Sequence, residues 1–327
     1  MSGNMPNNVK YNMPNVPNVL NTPNMSNVSD NITYKMHYKE AKSILSPQNG
    51  MNIYRGCTHG CIYCDSRSKC YNMEHDFEDI EVKINAPKLL EEALRKKRKK
   101  CMIGTGAMCD PYMHIEAELR HTRKCLEIIN KYGFGLCIQT KSSLILRDLD
   151  ILKSINEQSK CVVQMTLTTY DEDLCKVIEP GVCTSRERFE VLKIMHENNI
   201  PSVVWLSPIL PFINDTEDNI KGILDYCAKA KVYGIICFGM GLTLREGNRE
   251  YFYSKLDEHF PGLKQKYQRI YGYSYEIISG SHKKLMELFY NECKRHNIIC
   301  RNDEIFRYMH TYENKQQSEQ LSLFDML

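Results

Sequence analysis

Long apolar runs are missing from this 327-residue chain. Nothing approaches the roughly 18 consecutive apolar residues that a membrane-spanning helix needs. The polar, asparagine-rich N-terminus has no basic stretch leading into an apolar one, so no secretory leader is expected. Strong charge of either sign is also lacking. The 43 Lys and Arg against 40 Asp and Glu leave +3, a balance that neither demands nor excludes a nucleic-acid partner. Cysteine is plentiful, but its 15 residues are odd in number and scattered from Cys57 to Cys300, unlike a disulfide framework. They read mostly as small buried hydrophobes in a reducing, cytoplasmic compartment. What remains is an ordinary globular composition, 42% hydrophobic and 25% charged, that can bury a sizeable core.

From Asn12 to Asn27 an asparagine recurs at every third position, with Pro14, Pro17 and Pro23 interleaved and almost nothing to build a core. Residues 1–32 are expected to be a disordered tail. Beyond them, six short apolar runs alternate with amphipathic stretches: MNIYR (51–55), CMIGTG (101–106), FGLCIQT (134–140), CVVQMTLT (161–168), SVVWLSP (202–208) and GIICFGM (234–240). Asn85 is a candidate cap before a helix with Pro87 in its first turn. A helix over residues 115–132 is expected to stop at Gly133, which tolerates a left-handed cap. Such alternation predicts a parallel sheet with crossover helices. The unusual polar residues gather just after the runs, where barrels of this kind carry their chemistry.

After the first run comes YRGCTHGCIYCDSRS, with Cys57, Cys61 and Cys64 at C-x3-C-x2-C spacing. A structural zinc site wants a fourth ligand, commonly a second C-x2-C or a His pair within about 12 to 20 residues. Cys70, His59 and His75 do not have that spacing. A redox pair would use Cys61 and Cys64 and leave Cys57 unexplained. A chance group of core cysteines fits poorly with Arg55, Gly56, Gly60 and Asp65 around them. A cubane iron-sulfur cluster held by three thiolates, with one iron open, explains the count.

With an aromatic before its last cysteine, on the loop after the first of six β/α units, the motif resembles the radical S-adenosylmethionine (SAM) enzymes. Over about residues 50–300 the resemblance sharpens to the branch related to spore photoproduct lyase. GTGAMCDPY, QTKSSLILRDLDIL, EPGVCTSRERFE and SPILPFIND are similar to segments of that branch. The resemblance implies a partial (β/α)6, TIM-like barrel over residues 33–300. A small C-terminal helical extension and tail would follow over 301–327. It implies a 4Fe-4S cluster on Cys57, Cys61 and Cys64, with Tyr63 over it, and reductive cleavage of SAM to a 5'-deoxyadenosyl radical. Gly104, Thr105, Gly106 and Ala107 fall where the family contacts the methionine amine. Lys141 matches a lysine that pairs with the SAM carboxylate, Thr166 and Thr168 are placed to hold ribose hydroxyls, and Arg188 is a further cofactor-side candidate with Glu179 as its partner. Spore photoproduct lyase returns a hydrogen atom to its product radical from a cysteine in the second loop. That position aligns with Ala107, while Cys109, two residues on and facing the same side of an extended segment, is the candidate donor. A flavodoxin- or ferredoxin-type electron donor and a nucleic-acid substrate are implied. Modification of a peptide or small metabolite, and a non-catalytic iron-sulfur sensor, are the alternatives.

Two further stretches bear on partners. Between Tyr251 and Tyr275 six tyrosines interleave with Lys255, Lys264, Lys266 and Arg269, a pattern suited either to stacking bases or to packing a subdomain. Near the C-terminus, Gln320, Leu321, Leu323 and Phe324 in QLSLF resemble the peptide with which bacterial repair proteins dock on the β sliding clamp. Those four residues recur by chance about once in 10^5 windows at average usage.

Overall fold

A computed structural model describes residues 35–315. The expected disordered tail over 1–32 and the QLSLF segment lie outside the described residues. In chain order come β1 (Met36–Lys39), β2 (Gly50–Met51), β3 (Tyr54–Arg55), β4 (Ile80–Lys83), α1 (Ala86–Lys96), β5 (Met102–Thr105), α2 (Glu116–Leu119), α3 (His121–Lys131), β6 (Gly135–Thr140), α4 (Leu149–Gln158), β7 (Cys161–Thr166), α5 (Glu172–Ile178), α6 (Ser185–Glu197), β8 (Ser202–Trp205), α7 (Glu217–Lys229) and β9 (Gly234–Ile236). The hairpin strands β10 (Gly241–Thr243) and β11 (Glu276–Ile278) enclose α8 (Asn248–His259) and α9 (Leu263–Tyr271). Helices α10 (His282–Arg295) and α11 (Asn302–His310) complete the order.

Six strands form one all-parallel sheet in the order β2-β5-β6-β7-β8-β9. The order never reverses, so right-handed crossovers lay the connecting helices on one face. This is the arrangement of a partial barrel and not of a doubly wound sheet. Alternate strand residues divide the core. Ile103, Leu136, Ile138, Val163, Met165, Val204 and Ile235 pack with Leu90, Leu126, Leu152, Leu192 and Ile223 of the surrounding helices. Each such buried aliphatic contributes about 1.5–3 kcal/mol. Met102, Cys137, Val162, Val203 and Ile236 point the other way, and Ile305 and Met309 of α11 cover them. α11 thus closes the inner face.

The structure departs from sequence expectation at several points. The run MNIYR is two strands: Gly50 and Met51 pair with β5, whereas Tyr54 and Arg55 pair with β4 in a separate three-stranded sheet, β1-β4-β3. Asn85 does stand at the N-cap of α1, but its side chain does not cap the helix, because its amide is bonded to both backbone groups of Ala41 at 2.9 Å. The helix expected over 115–132 breaks at Arg120, which sits at φ 52° between α2 and α3, although it does end at a left-handed Gly133. Where the small C-terminal helical extension is expected, α11 forms, and residues 302–315 pack on the body. Tyr312 donates to the Gly133 carbonyl at 2.9 Å, and Lys160 donates to the carbonyls of Tyr308 and Thr311 at 2.9 and 3.2 Å.

Candidate active site

The cysteine loop leaves the side sheet at β3 and is shaped by close backbone contacts. Gly56, at φ +89°, brings the chain so near the Phe77 carbonyl that a Cβ would lie 2.5 Å from it. The next residue, Cys57, donates its N–H to that same carbonyl at 3.0 Å. Further along, Ile62 donates to the Ile178 carbonyl at 3.0 Å and His59 accepts from the Gly181 N–H at 2.9 Å. The loop is thereby fixed to the turn after α5. Its far end is held by Asp65, which accepts from Tyr71 at 2.8 Å and pairs with Arg245 at 3.0 Å.

Beneath the loop lies a buried charged group. Tyr63 and Arg188 both donate to Glu179, one to each carboxylate oxygen. Arg188 is 0% exposed, and it also donates to the carbonyls of Thr166 at 2.8 Å and Cys183 at 3.0 Å and to Cys175 Sγ at 3.1 Å. Burial alone would raise the Glu179 carboxyl, but Arg188, Lys141 and the Tyr63 hydroxyl outweigh it and hold it below the usual range. Burial, reinforced by Glu179, pushes the Tyr63 phenol well up, so it stays a donor. The expected Arg188–Glu179 pair is therefore present, but it stands behind the site, holding Tyr63, and Arg188 has no face toward a ligand.

Lys141 follows β6 and is aimed from there. Asp110, after β5, accepts from the Lys141 N–H at 2.7 Å and from the Thr140 hydroxyl at 2.7 Å, and it caps the turn at Tyr112 at 2.9 Å. Gly106, at φ +98°, makes this approach possible, since a Cβ there would lie 2.0 Å from the Gln139 carbonyl. Burial pulls the Lys141 ammonium down, but Cys61, Glu179, Cys64 and Asp110 pull harder, and the net shift is upward. It remains a cation. Burial pushes the Cys61 thiol up to about 12, against the opposing pull of Lys141.

A cavity of about 600 Å³ opens over these groups at the carboxyl ends of the strands. Of the residues singled out in the sequence, Tyr63, Cys64, Asp65, Ala107 and Lys141 line it. Thr166 and Thr168 do not reach its wall. Both are buried; the Thr166 hydroxyl faces Gln139 at 3.5 Å, and the Thr168 hydroxyl oxygen has no hydrogen-bond partner among the described residues. Gly104, Thr105 and Gly106 supply the backbone behind Ala107 and not the wall itself. Cys109 also turns away: its thiol donates to the Tyr54 carbonyl at 2.9 Å inside the core. In an extended segment it would share a face with Ala107, but the left-handed Gly106 and the bends after it remove that alternation. The opposite wall holds residues that the sequence gave little reason to choose, namely Trp205, Ser207, Phe238, Glu276 and His282. Trp205 is the sole tryptophan and ends a strand, the one signal available.

The thiols do not suit a single ion. Among the described residues, the group whose ligand atoms all lie within 4.8 Å of one another is His37, His75 and Glu81, and not the three cysteines. A tetrahedral zinc would draw thiolates to about 3.8 Å apart. A wider multi-iron group suits the loop better, and Lys141, whose Nζ makes no hydrogen bond among the described residues, offers an anion a partner beside it.

Fold and site together define an α/β partial barrel of the cofactor-dependent radical-enzyme type, its seat a three-thiol loop at the carboxyl end of the sheet. The radical SAM superfamily model matches residues 51–227, and the chain belongs to that superfamily. Its members use a 4Fe-4S cluster and SAM. An uncharacterized protein of Methanocaldococcus jannaschii is 31% identical over 255 residues, covering 77% of this chain and 88% of that one. An uncharacterized Mycobacterium tuberculosis protein is 28% identical over 229 residues, and the match covers 68% of this chain and 66% of that protein's length. Among solved structures, spore photoproduct lyase complexed with dinucleoside spore photoproduct has a similar fold, with a TM-score of 0.58 and 13% identity, covering 80% of this chain and 79% of that one. A form with bound AdoMet and the same dinucleoside aligns at 0.57 and 13% identity, over 76% and 73%.

Proposed function

We propose that this chain is a catalytic radical SAM enzyme that acts on a nucleobase presented at the outer end of the cavity. The observation that carries the substrate class is the aromatic lip. The Trp205 and Phe238 rings lie 6.0 Å apart on the wall, and Phe238 is 65% exposed. An exposed Phe238 beside a half-buried Trp205, on the wall of a largely apolar cavity, suits a planar base drawn out of its stack.

Cys57, Cys61 and Cys64 would hold the cluster, which together with SAM supplies a 5'-deoxyadenosyl radical able to abstract a hydrogen atom. Lys141 presents a point charge to the SAM carboxylate, and Asp110 fixes its backbone. Tyr63, locked by Glu179 and Arg188, keeps one ring orientation at the cavity floor. Met240, Leu242 and Ile277, which also line the cavity, restrict water around the reacting atoms. Ala107 is the residue of the second loop on the wall, so the chain offers no thiol at the position where spore photoproduct lyase keeps one. A lyase of that kind would need a different hydrogen donor. QLSLF, with Gln320, Leu321, Leu323 and Phe324, is proposed to tether the enzyme to the β sliding clamp.

Anaerobic reconstitution followed by measurement of 5'-deoxyadenosine with single-stranded DNA, RNA, peptide or no addition tests this reading. Nucleic acid is expected to raise the rate, and Trp205→Ala with Phe238→Ala to remove that increase. Stimulation by peptide alone would overturn the substrate class. A reducible cluster without SAM cleavage would make the protein a sensor.

A further inference from the structure

On the side sheet, away from the cavity, three side chains converge that the radical chemistry does not use. His37 of β1 and Glu81 of β4 are directly opposite in the parallel register. His75 comes from the segment between the cysteine loop and β4. Their ligand atoms all lie within 4.8 Å of one another, and Glu81 is only 4% exposed. The two imidazole rings stand edge to face, with centroids 4.8 Å apart.

The outer atoms of both rings are already tied down. His37 Nδ1 meets an Asp79 carboxylate oxygen at 3.0 Å, and His75 Nδ1 meets the Asp76 carbonyl at 3.0 Å. A ring whose Nδ1–H is donated to an oxygen presents a lone pair at Nε2, the arrangement by which proteins orient metal-binding histidines. Among the described residues His75 Nε2 is buried without a hydrogen-bond partner, and it lies 4.0 Å from Glu81 Oε2. The other charges nearby are Lys39, 3.1 Å from Glu81, and Lys35, 3.2 Å from Asp76 and 3.3 Å from Asp79. Both lysines are more than half exposed and can turn out to solvent.

We propose that His37, His75 and Glu81 bind a divalent transition-metal ion of the zinc class, through two imidazole nitrogens and one carboxylate, with a fourth position left for water. The ion joins β1 and β4 to the segment carrying His75. Two residues beyond His75, the Phe77 carbonyl holds the Cys57 N–H. Arg55 already fixes this segment's start by donating to the Tyr71 and Asn72 carbonyls at 2.7 Å. The metal therefore braces the backbone on which the cysteine loop rests, and the proposal does not depend on the enzyme's substrate.

Zinc and iron in the reconstituted full chain, measured together by mass spectrometry after dialysis against a weak chelator, decide the matter. About one zinc per chain is expected to disappear in His75→Ala and in His37→Ala, and to persist when Cys57, Cys61 and Cys64 are all replaced by Ala. Zinc that leaves with the cysteines, or a wild type without zinc, would overturn the proposal. Wild-type protein supplies a check independent of how the variants fold. Zinc at a hundred times its Kd should shift the unfolding equilibrium about a hundredfold toward the native state, and no shift would refute the site. Cobalt added to the triple-cysteine variant should show visible bands without a thiolate charge-transfer band; a thiolate band would place the ion elsewhere.

Discussion

Two lysines at opposite ends of neighbouring strands show how this barrel divides its work. Lys160 precedes β7 and is 2% exposed; its ammonium is occupied by the Tyr308 and Thr311 carbonyls, by Glu313 at 2.6 Å and by the Tyr308 ring at 3.7 Å. Lys141 follows β6, lies near the Glu179 and Asp110 carboxylates and the Cys61 and Cys64 thiols, and makes no hydrogen bond through Nζ among the described residues. A buried cation with every donor used is part of the fold. One held close to anions but left without a direct partner is set for a ligand. The amino end of the barrel is closed by its own chain, and the carboxyl end is completed by what it binds.

The contrast can be broken most severely at the cysteines. Replacing Cys57, Cys61 or Cys64 with Ala should remove iron from the reconstituted protein and abolish 5'-deoxyadenosine formation. A variant that still makes it would show that the open end is not seated on this loop. Next in size is the buried pair. Glu179→Gln leaves Arg188 without its counter-charge and should cost about 3–5 kcal/mol in urea unfolding at neutral pH. Because the folded carboxyl binds its proton more weakly than its ordinary value of 4.5, its contribution is complete above that pH and is lost as pH falls through the lower folded value. The wild type should therefore lose stability on acidification more steeply than Glu179→Gln, and parallel curves would remove this group from the acid limb.

The lysines themselves sharpen the comparison. Lys141→Met should weaken SAM binding about 10- to 100-fold with little change in unfolding. Lys160→Met should lower stability by about 1–3 kcal/mol and leave SAM affinity alone. If both substitutions move the same quantity, the division between the two ends fails. The smallest effect is expected from Cys109→Ala, which loses one thiol-to-carbonyl bond, about 1 kcal/mol, and should leave the product distribution unchanged. An altered distribution would restore Cys109 as a hydrogen donor.

The cofactor seat was legible in the sequence because a C-x3-C-x2-C loop is local, and three thiols at that spacing have few other uses. The place of Lys141 on the cavity wall was legible because it directly follows the six-residue strand β6. Partner changes were not legible. Only two residues separate β2 in the main sheet from β3 in the side sheet, and a period-2 pattern cannot show that the neighbour has changed. His37 and Glu81, which face one another across β1 and β4, escaped notice for the same reason, since strands of four mixed residues carry little periodic signal. The tyrosine-rich stretch is divided: Tyr253 and Tyr267 are buried against Ile62, Tyr63 and Phe252, as packing of a subdomain requires, whereas Tyr273 and Tyr275 are exposed. Tyr267 donates inward to the Pro211 carbonyl at 2.7 Å. The exposed aromatic on the cavity wall is instead Phe238.

The placement of α11 has a mechanical consequence. Tyr312 is bonded to Gly133 and Lys315 to the Asn156 carbonyl at 2.6 Å, both just before strands begin, so the described chain ends at the pole opposite the cavity. A pull on the segment beyond would be taken up by α11 and the amino ends of β6 and β7, and little of it would reach the cysteine loop.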